Sequence, residues 1–163
     1  FDLDSQRTQN HFKFLKVGPE LTFHFSRAVF EMEKIESMIC KKNLSNIKNI
    51  FLSVMKNYDE YWIDYYKGSH KYLNILKFSS YLDRLRYYWD FKKINKTKEK
   101  LFFNINGINE FKFFNSTKFL KGKDLKMKKK LKLNNAEFII FKSIERILRK
   151  YYLACGFKLK KNN

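Results

Sequence analysis

The chain contains a single proline, Pro19, which stands between a short apolar segment and a long amphipathic one. Gly18 before it can adopt backbone angles that are closed to other residues, and proline is pre-set for the first position of a helix. Glu20 then adds a negative charge at the positive end of the helix dipole. The run therefore predicts a strand that turns sharply into a helix. In α/β folds, such corners commonly hold small phosphorylated ligands.

Apolar residues recur at helical spacing along most of the chain, and this pattern predicts a mostly α-helical protein. The spacing alternates between four and three residues from 21 to 39, and it returns from 44 to 58. Asp59 and Gly68 are a candidate start and end for a short helix. Aspartate caps amino termini, and glycine favours the left-handed conformation that follows many helices.

Two helices are predicted in the second half of the chain, on either side of an irregular segment. Residues 92–106 predict a basic helix that Gly107 closes, and Asn134 or Asn135 would cap a last helix. Residues 109–133 have no helical period and are predicted to form an irregular basic loop. The buried stripe predicted for the last helix consists of Ile140, Ile144, Ile147, Tyr151 and Ala154.

The strongly basic charge balance has two candidate explanations. Lys and Arg number 35 against 16 Asp and Glu, which gives a formal net charge of +19. Such a balance is typical of proteins that bind nucleic acid or an acidic membrane face. It is also expected from an AT-rich genome, because the codons for the abundant Lys, Asn, Ile, Phe and Tyr are AT-rich. We favour codon bias, because the aromatic residues fall mainly at helix-core spacings and not in a stacking platform.

The residues give little sign of catalytic or metal chemistry. His24 has no second histidine or acid one helical turn away, as a zinc site would require, and Cys40 and Cys155 form no metal or redox pair. A phosphate-binding glycine loop and a nucleophile elbow are also missing from the sequence. We therefore predict no catalytic residue, no bound metal and no cofactor in this chain.

The chain length and apolar content predict a single folded domain. The 163 residues are 44% hydrophobic and 18% aromatic, which is enough for one core. The apolar runs fall short of the roughly 18 residues that a membrane span needs, and the amino terminus does not resemble a secretion signal. A cytoplasmic protein without a membrane partner is expected.

Four sequence blocks resemble one known family. They are the run from Phe14 to Glu36 around Lys-Val-Gly-Pro, the Tyr-Trp, Tyr-Tyr and Gly element at 61–68, the segment Ser-Tyr-Leu-Asp-Arg-Leu-Arg-Tyr-Tyr-Trp at 80–89, and the end of the last helix at 148–156. All four follow the order of the GatZ/KbaZ-like family, the non-catalytic subunits of D-tagatose-bisphosphate aldolase.

The resemblance implies an α/β parent fold, an aldolase-type TIM barrel followed by a helical region. A complete barrel needs about 200 to 250 residues, so this chain is too short to form one. Residues 1–41 would be the last strand-and-helix unit of the barrel, and residues 42–163 would be the helical carboxyl-terminal region. The chain is accordingly expected to be the carboxyl-terminal part of a longer product or a gene remnant.

The same resemblance implies a function without catalysis. The chain would support the activity and stability of a zinc-dependent catalytic subunit that cleaves tagatose 1,6-bisphosphate in tagatose or galactitol catabolism. Zinc is expected in that partner, and self-association is left open. Two alternatives also stay open: a basic remnant that binds nucleic acid, and part of a sugar-phosphate enzyme whose site lies mainly in an absent amino-terminal region.

The resemblance also implies roles for seven residues. Candidates for binding substrate or phosphate at the barrel mouth are Lys16, Gly18 and Thr22. Residues that would hold the helical region together or contact the partner are Pro19, Asp83, Arg84 and Arg86. The preferred interpretation is that Asp83 forms a structural pair with Arg84 or Arg86, because charge-assisted hydrogen bonds are strong.

Overall fold

A computed structural model describes residues 18–117 and 120–158, and the regular elements within these ranges are all helical. The helices are α1 (Glu20–Ile39), α2 (Ile47–Asn57), α3 (His70–Ser79), a 3₁₀ helix (Arg84–Tyr88), α4 (Lys92–Asn106), α5 (Glu110–Ser116), α6 (Gly122–Leu131) and α7 (Asn135–Ala154). The mostly helical architecture is confirmed. The strand predicted before Gly18 lies outside the described residues.

Helix α1 lies at the centre of the fold, because it packs against α7, α4, the 3₁₀ helix and α2. The middle of its predicted apolar face is buried, whereas Leu21, Phe25 and Ile39 are half-buried. Burial extends to neighbouring positions, since helices cover α1 from more than one side. The α1 side chains in the core are Ala28, Val29, Phe30, Met32 and Ile35. Burial of this wide apolar face supplies the main stabilisation of the fold.

Helix α7 begins at Asn134, which resolves the choice between two neighbouring asparagines. Asn134 Oδ1 accepts a hydrogen bond from the Glu137 backbone N–H at 2.9 Å, and the Glu137 carboxylate accepts one from the Asn134 backbone N–H at 2.9 Å. This reciprocal pair is a capping box. Asn135 is buried and donates to the carbonyls of Ile105 and Ile108 at 3.1 and 2.9 Å. One asparagine thus starts α7, and the next fastens it to the end of α4.

The buried face of α7 is rotated from the predicted stripe. Ile147 and Ala154 are buried as predicted, whereas Ile140, Ile144 and Tyr151 are only half-buried. The deepest contacts come instead from Ala136, Phe138 and Ile139. The predicted stripe differs from the buried face because apolar residues occupy more than half of the circumference of this helix, so the spacing alone did not select the face that meets α1.

The prediction of an irregular loop at 109–133 was wrong, because this segment contains α5 and α6. Each of these helices buries one side chain, Phe113 in α5 and Asp124 in α6, so no apolar period could develop. The two helices are held by ion pairs, in which Lys128 Nζ lies 3.1 Å from Glu110 and Lys142 Nζ lies 3.2 Å from Asp124. Tertiary contacts therefore stabilise helices that the local pattern did not reveal.

The region between α2 and the 3₁₀ helix also differs from the prediction. The segment from Asp59 to Gly68 forms helical turns, with hydrogen bonds from Ile63 N to Asp59 O and from Tyr66 N to Trp62 O, and not a regular helix. Gly68 does adopt a positive φ of 136°. Helix α3 was not predicted, and none of its residues is fully buried.

Candidate functional site

The corner at the start of α1 is fixed by contacts on two sides. Pro19 precedes the first turn, and its carbonyl accepts a hydrogen bond from Phe23 N at 2.9 Å. The Glu20 carboxylate accepts a hydrogen bond from the Tyr151 hydroxyl and lies 3.8 Å from Lys150 Nζ. Glu20 therefore ties α1 to α7 in addition to lying at the positive end of the helix dipole. Lys16 lies outside the described residues.

A hydrogen bond joins the first and third of the family-like sequence blocks. Thr22 Oγ1 lies 2.5 Å from Asp83 Oδ2, although the two residues are 61 positions apart in the sequence. The same hydroxyl oxygen lies 2.9 Å from the Pro19 carbonyl. Asp83 is 3% exposed and has a left-handed backbone with φ of 43°. The structure thus brings three of the predicted site residues into one cluster, the Pro19–Thr22–Asp83 cluster.

The electrostatics of this cluster make Asp83 easier to protonate than an ordinary aspartate. Burial raises the pKa of Asp83 to about 6, against the opposing effects of the Thr22 hydrogen bond and the positive charge of Arg86. Thr22 has one hydroxyl proton and two acceptor oxygens within reach. A protonated Asp83 can donate to Thr22 Oγ1, which can then donate to the Pro19 carbonyl, so all three groups are satisfied. An ionised Asp83 would compete with Pro19 for that one proton.

Asp83 does not form the predicted carboxylate pair with either arginine in the described part of the chain. Arg86 instead donates to the backbone carbonyls of Leu82 and Asp83 at 2.6 and 3.0 Å. The left-handed backbone at Asp83 turns its carboxyl group towards α1 and leaves its carbonyl for Arg86. The hydrogen bonds of Arg86 near Asp83 are therefore made with main-chain oxygens.

Arg84 makes its main contacts with aromatic rings. Its guanidinium carbon lies 3.1 Å from the centroid of the Tyr65 ring, and its backbone N–H donates to the Tyr66 hydroxyl at 3.3 Å. Cation–π contacts of this kind favour arginine over lysine. They join the 3₁₀ helix to the turns at 59–68, which contain the second family-like block.

Replacing Asp83 with asparagine is expected to stabilise the fold at pH 8 by about 3 kcal/mol, since one pKa unit corresponds to about 1.4 kcal/mol and the pKa is raised by about two units. The folded pKa of about 6 lies above the ordinary value of 3.8. Protonation of Asp83 therefore stabilises the folded state fully below about pH 4, and this contribution is lost as the pH rises through 6. Asparagine keeps the shape of the neutral acid and tolerates the left-handed backbone. Urea unfolding at pH 4, 6 and 8 measures the difference.

The matched control is Asp64→Asn, which removes the same charge from an exposed position. The advantage of Asp83→Asn over the native chain should shrink steadily from pH 8 to pH 4, and the control should show no such trend. A difference between Asp83→Asn and the native chain that stays constant with pH would contradict the raised pKa.

The described residues contain no group of three or more His, Cys, Asp or Glu side chains placed to hold a metal ion. Within the same part of the chain, no helix combines the length and apolar character that crossing a membrane requires. The arrangement around Thr22 and Asp83 is chemically a structural hydrogen-bond cluster with one titratable group.

Sequence reasoning missed a second polar cluster, centred on Glu36. This carboxylate is 1% exposed and accepts hydrogen bonds from the Ser45 backbone N–H at 3.0 Å, the Ser45 hydroxyl at 2.5 Å and Asn104 Nδ2 at 2.6 Å. The only available signal was an acid beside Ile35 on the apolar face of α1.

Comparison with protein families finds one match over almost the whole chain. Residues 4–156 match the model of the family described as D-tagatose-1,6-bisphosphate aldolase subunit GatZ/KbaZ-like. The D-tagatose-1,6-bisphosphate aldolase subunit GatZ of Escherichia coli (strain SMS-3-5 / SECEC) is 37% identical over 103 residues, which is 62% of this chain. The protein of the same name from Salmonella newport (strain SL254) is 34% identical over 101 residues, or 61% of this chain.

Both relatives are much longer than this chain, since each alignment covers 24% of the relative. Among solved structures, the chain is similar to a probable tagatose 6 phosphate kinase from Sinorhizobium meliloti 1021, with 25% sequence identity and a TM-score of 0.74. That similarity covers 93% of this chain and 39% of the solved one. The helical arrangement described above therefore recurs as part of a larger protein.

Proposed function

The chain belongs to the D-tagatose-1,6-bisphosphate aldolase subunit GatZ/KbaZ-like family, and we propose on this basis that it acts as a non-catalytic subunit of a tagatose-bisphosphate aldolase. The family match over residues 4–156 is the observation that carries the proposal. The two GatZ relatives support it, because their names describe a subunit of that aldolase. The reaction of the proposed complex is the cleavage of tagatose 1,6-bisphosphate, in tagatose or galactitol catabolism.

The proposed parent fold is an aldolase-type TIM barrel with a helical carboxyl-terminal region. In this proposal α1 is the helix of the last strand-and-helix unit, within residues 1–41, and residues 42–163 form the helical region. The start of α1 supports this parent fold, because Gly18 and Pro19 precede the helix as they would at the end of a strand. The similarity to 39% of a longer solved chain agrees with a part of a larger fold.

The proposed role is to stabilise a zinc-dependent catalytic partner by binding its folded form. A subunit that binds only the folded state shifts the folding equilibrium by mass action, by about 2.7 kcal/mol when its concentration is a hundredfold above the dissociation constant. This role requires a stable binding surface and no catalytic residue. Zinc and the acid–base groups would belong to the partner.

Co-expression with the catalytic subunit of a zinc-dependent tagatose-bisphosphate aldolase tests this role. We expect the two chains to co-purify, and we expect the half-life of aldolase activity at elevated temperature to lengthen several-fold. The purification is repeated at about 0.15 and 0.5 M salt, because surface ion pairs are screened over about 8 Å or less in this range. A specific interface should survive the higher salt, whereas attraction to a chain of charge +19 should not.

Two variants of this chain serve as matched controls for the stabilisation. Phe51→Ala removes a fully buried ring, whereas Phe103→Ala removes a ring that is 80% exposed. The first should reduce the gain in half-life, because it destabilises this chain, and the second should preserve the gain. The proposed role would be refuted if the native chain is folded but the partner elutes alone and the half-life of the partner's activity is unchanged.

A further inference from the structure

A cleft between α1 and α7 collects basic side chains that the Pro19–Thr22–Asp83 cluster does not use. It has a volume of about 810 Å³, and its lining includes the apolar side chains of Phe23, Ala28 and Ile139. Four cationic side chains also line it: Arg27, Lys142, Arg146 and Arg149. The cleft thus combines an apolar lining with a concentration of positive charge, and its volume lies within the range of sites for small molecules.

Two of the four cations are neutralised by acids of the same fold. Arg149 donates to Glu145 Oε1 through Nε at 3.0 Å and through a terminal nitrogen at 2.5 Å. Lys142 Nζ lies 3.2 Å from Asp124 Oδ1 and 3.3 Å from Glu145 Oε2. Glu145, one of the two acids that line the cleft, is therefore paired with Lys142 and Arg149.

The other two cations, Arg27 and Arg146, form no ion pair with any carboxylate in residues 18–117 and 120–158. The second acid of the cleft, Glu31, is paired with Lys34 on its own helix at 2.7 Å. Two guanidinium groups, one from each helix, therefore remain as uncompensated charges at the same cleft. Both side chains are exposed, so neither is needed to fill the core.

The same arginines affect the pKa of His24, which also lines the cleft. Burial lowers the pKa of His24, and the positive charges of Arg146, Arg27 and Lys150 lower it further against the opposing charge of Glu20. The positive charges that lower this pKa also disfavour another cation in the cleft. An anion would be attracted to the same place.

We propose that this cleft binds a small phosphate monoester, with Arg27 and Arg146 holding the phosphate and the apolar lining contacting the carbon skeleton. Guanidinium groups match the geometry of phosphate oxygens through paired N–H donors. A cleft between two helices fits a compact ligand better than an extended polyanion, which would need a long basic groove. This proposal does not depend on the proposed subunit role, so its test uses this chain alone.

Titration of the full chain with inorganic phosphate and with phenyl phosphate, in about 0.1 M salt, tests the proposal. Binding is followed by calorimetry and by the ring resonances of His24 and His70 in NMR spectra. We expect saturable one-to-one binding that shifts His24 in the cleft and leaves His70 on α3 unchanged. Phenyl phosphate should bind more tightly than inorganic phosphate, because its ring can contact the apolar lining.

The double variant Arg27→Gln/Arg146→Gln should weaken binding of both probes by about tenfold or more, the effect of losing about 1.4 kcal/mol. The matched control is Lys123→Gln/Lys130→Gln, which removes two charges from exposed positions on α6. It should change the affinity less than twofold, a difference below about 0.5 kcal/mol. Arg146→Lys keeps the charge but loses the planar fork, and it should give an intermediate affinity.

Three results would overturn the proposal. One is an equal loss of affinity in the cleft variant and the α6 control, which would indicate a response to net charge alone. Another is equal shifts of His24 and His70, or binding that does not saturate. The third is a single-stranded oligonucleotide that displaces phenyl phosphate and binds the double cleft variant as well as the native chain, which would indicate a general polyanion surface.

Discussion

Replacing Phe51 with alanine is expected to lower the free energy of unfolding by about 3 to 5 kcal/mol. Phe51 is fully buried on α2, and its ring centroid lies 4.8 Å from that of Trp89 and 6.0 Å from that of Phe30, both in edge-on geometry. The truncation would remove two aromatic contacts and leave a cavity where α1, α2 and the segment after the 3₁₀ helix meet. Because such a domain is stable by about 5 to 15 kcal/mol, the loss would be a large fraction of the total.

Urea unfolding followed by circular dichroism measures this effect. Phe103→Ala is the control, because the same truncation at a side chain that is 80% exposed should change stability by less than about 0.5 kcal/mol. Equal losses in the two variants would show that Phe51 does not occupy the described core. An intrinsic change in helix preference cannot produce the expected contrast, since both substitutions introduce alanine into a helix.

Replacing Glu36 with glutamine is expected to destabilise the fold by about 2 to 4 kcal/mol, because hydrogen bonds to a charged group contribute about 1.5 to 3 kcal/mol each. The Glu36 carboxylate accepts hydrogen bonds from Ser45 and Asn104, and it is almost completely buried. It therefore closes the loop between α1 and α2 and links that loop to α4. A glutamine amide has one acceptor oxygen, so its NH₂ group must face one of the donors.

The matched control is Glu99→Gln, which makes the same change at an exposed position on α4. Thermal unfolding at neutral pH should show a lower midpoint for Glu36→Gln than for the native chain. The midpoint of Glu99→Gln should be almost unchanged. If Glu36→Gln were as stable as the native chain, the three donors would have other partners and the described cluster would be wrong. A further variant, Asn104→Ala, removes one donor and should give a smaller loss than Glu36→Gln.

Much of the helical architecture could be predicted because the long helices have a regular apolar period. α1, α2, α4 and α7 each bury several side chains, so their apolar residues recur with a period that is readable in the sequence. α3 buries none fully, and α5 and α6 bury one side chain each. The stability of α5 and α6 depends on caps and on ion pairs with distant elements, which leave no period, and α3 packs on the core through the half-buried Leu73, Leu76 and Phe78.

The candidate site was only partly predictable, for a related reason. The resemblance pointed to Thr22 and to Asp83 separately, and it suggested an arginine as the partner of Asp83. The contact between Thr22 and Asp83 depends on how the 3₁₀ helix lies across the start of α1, and no local pattern encodes that position. The cleft arginines were missed because Arg27 and Arg146 are more than a hundred positions apart.

The sequence by itself determined that this protein is mostly helical, where its four longest helices lie and which family it belongs to. These properties follow from local spacing, from capping residues and from blocks of ordered residues. Only the tertiary structure decided which side of α7 meets α1, that Glu36 is buried among neutral donors, and that Asp83 faces Thr22. The physical reason is that helix period is a local property, whereas burial and hydrogen-bond partners depend on how distant helices cross.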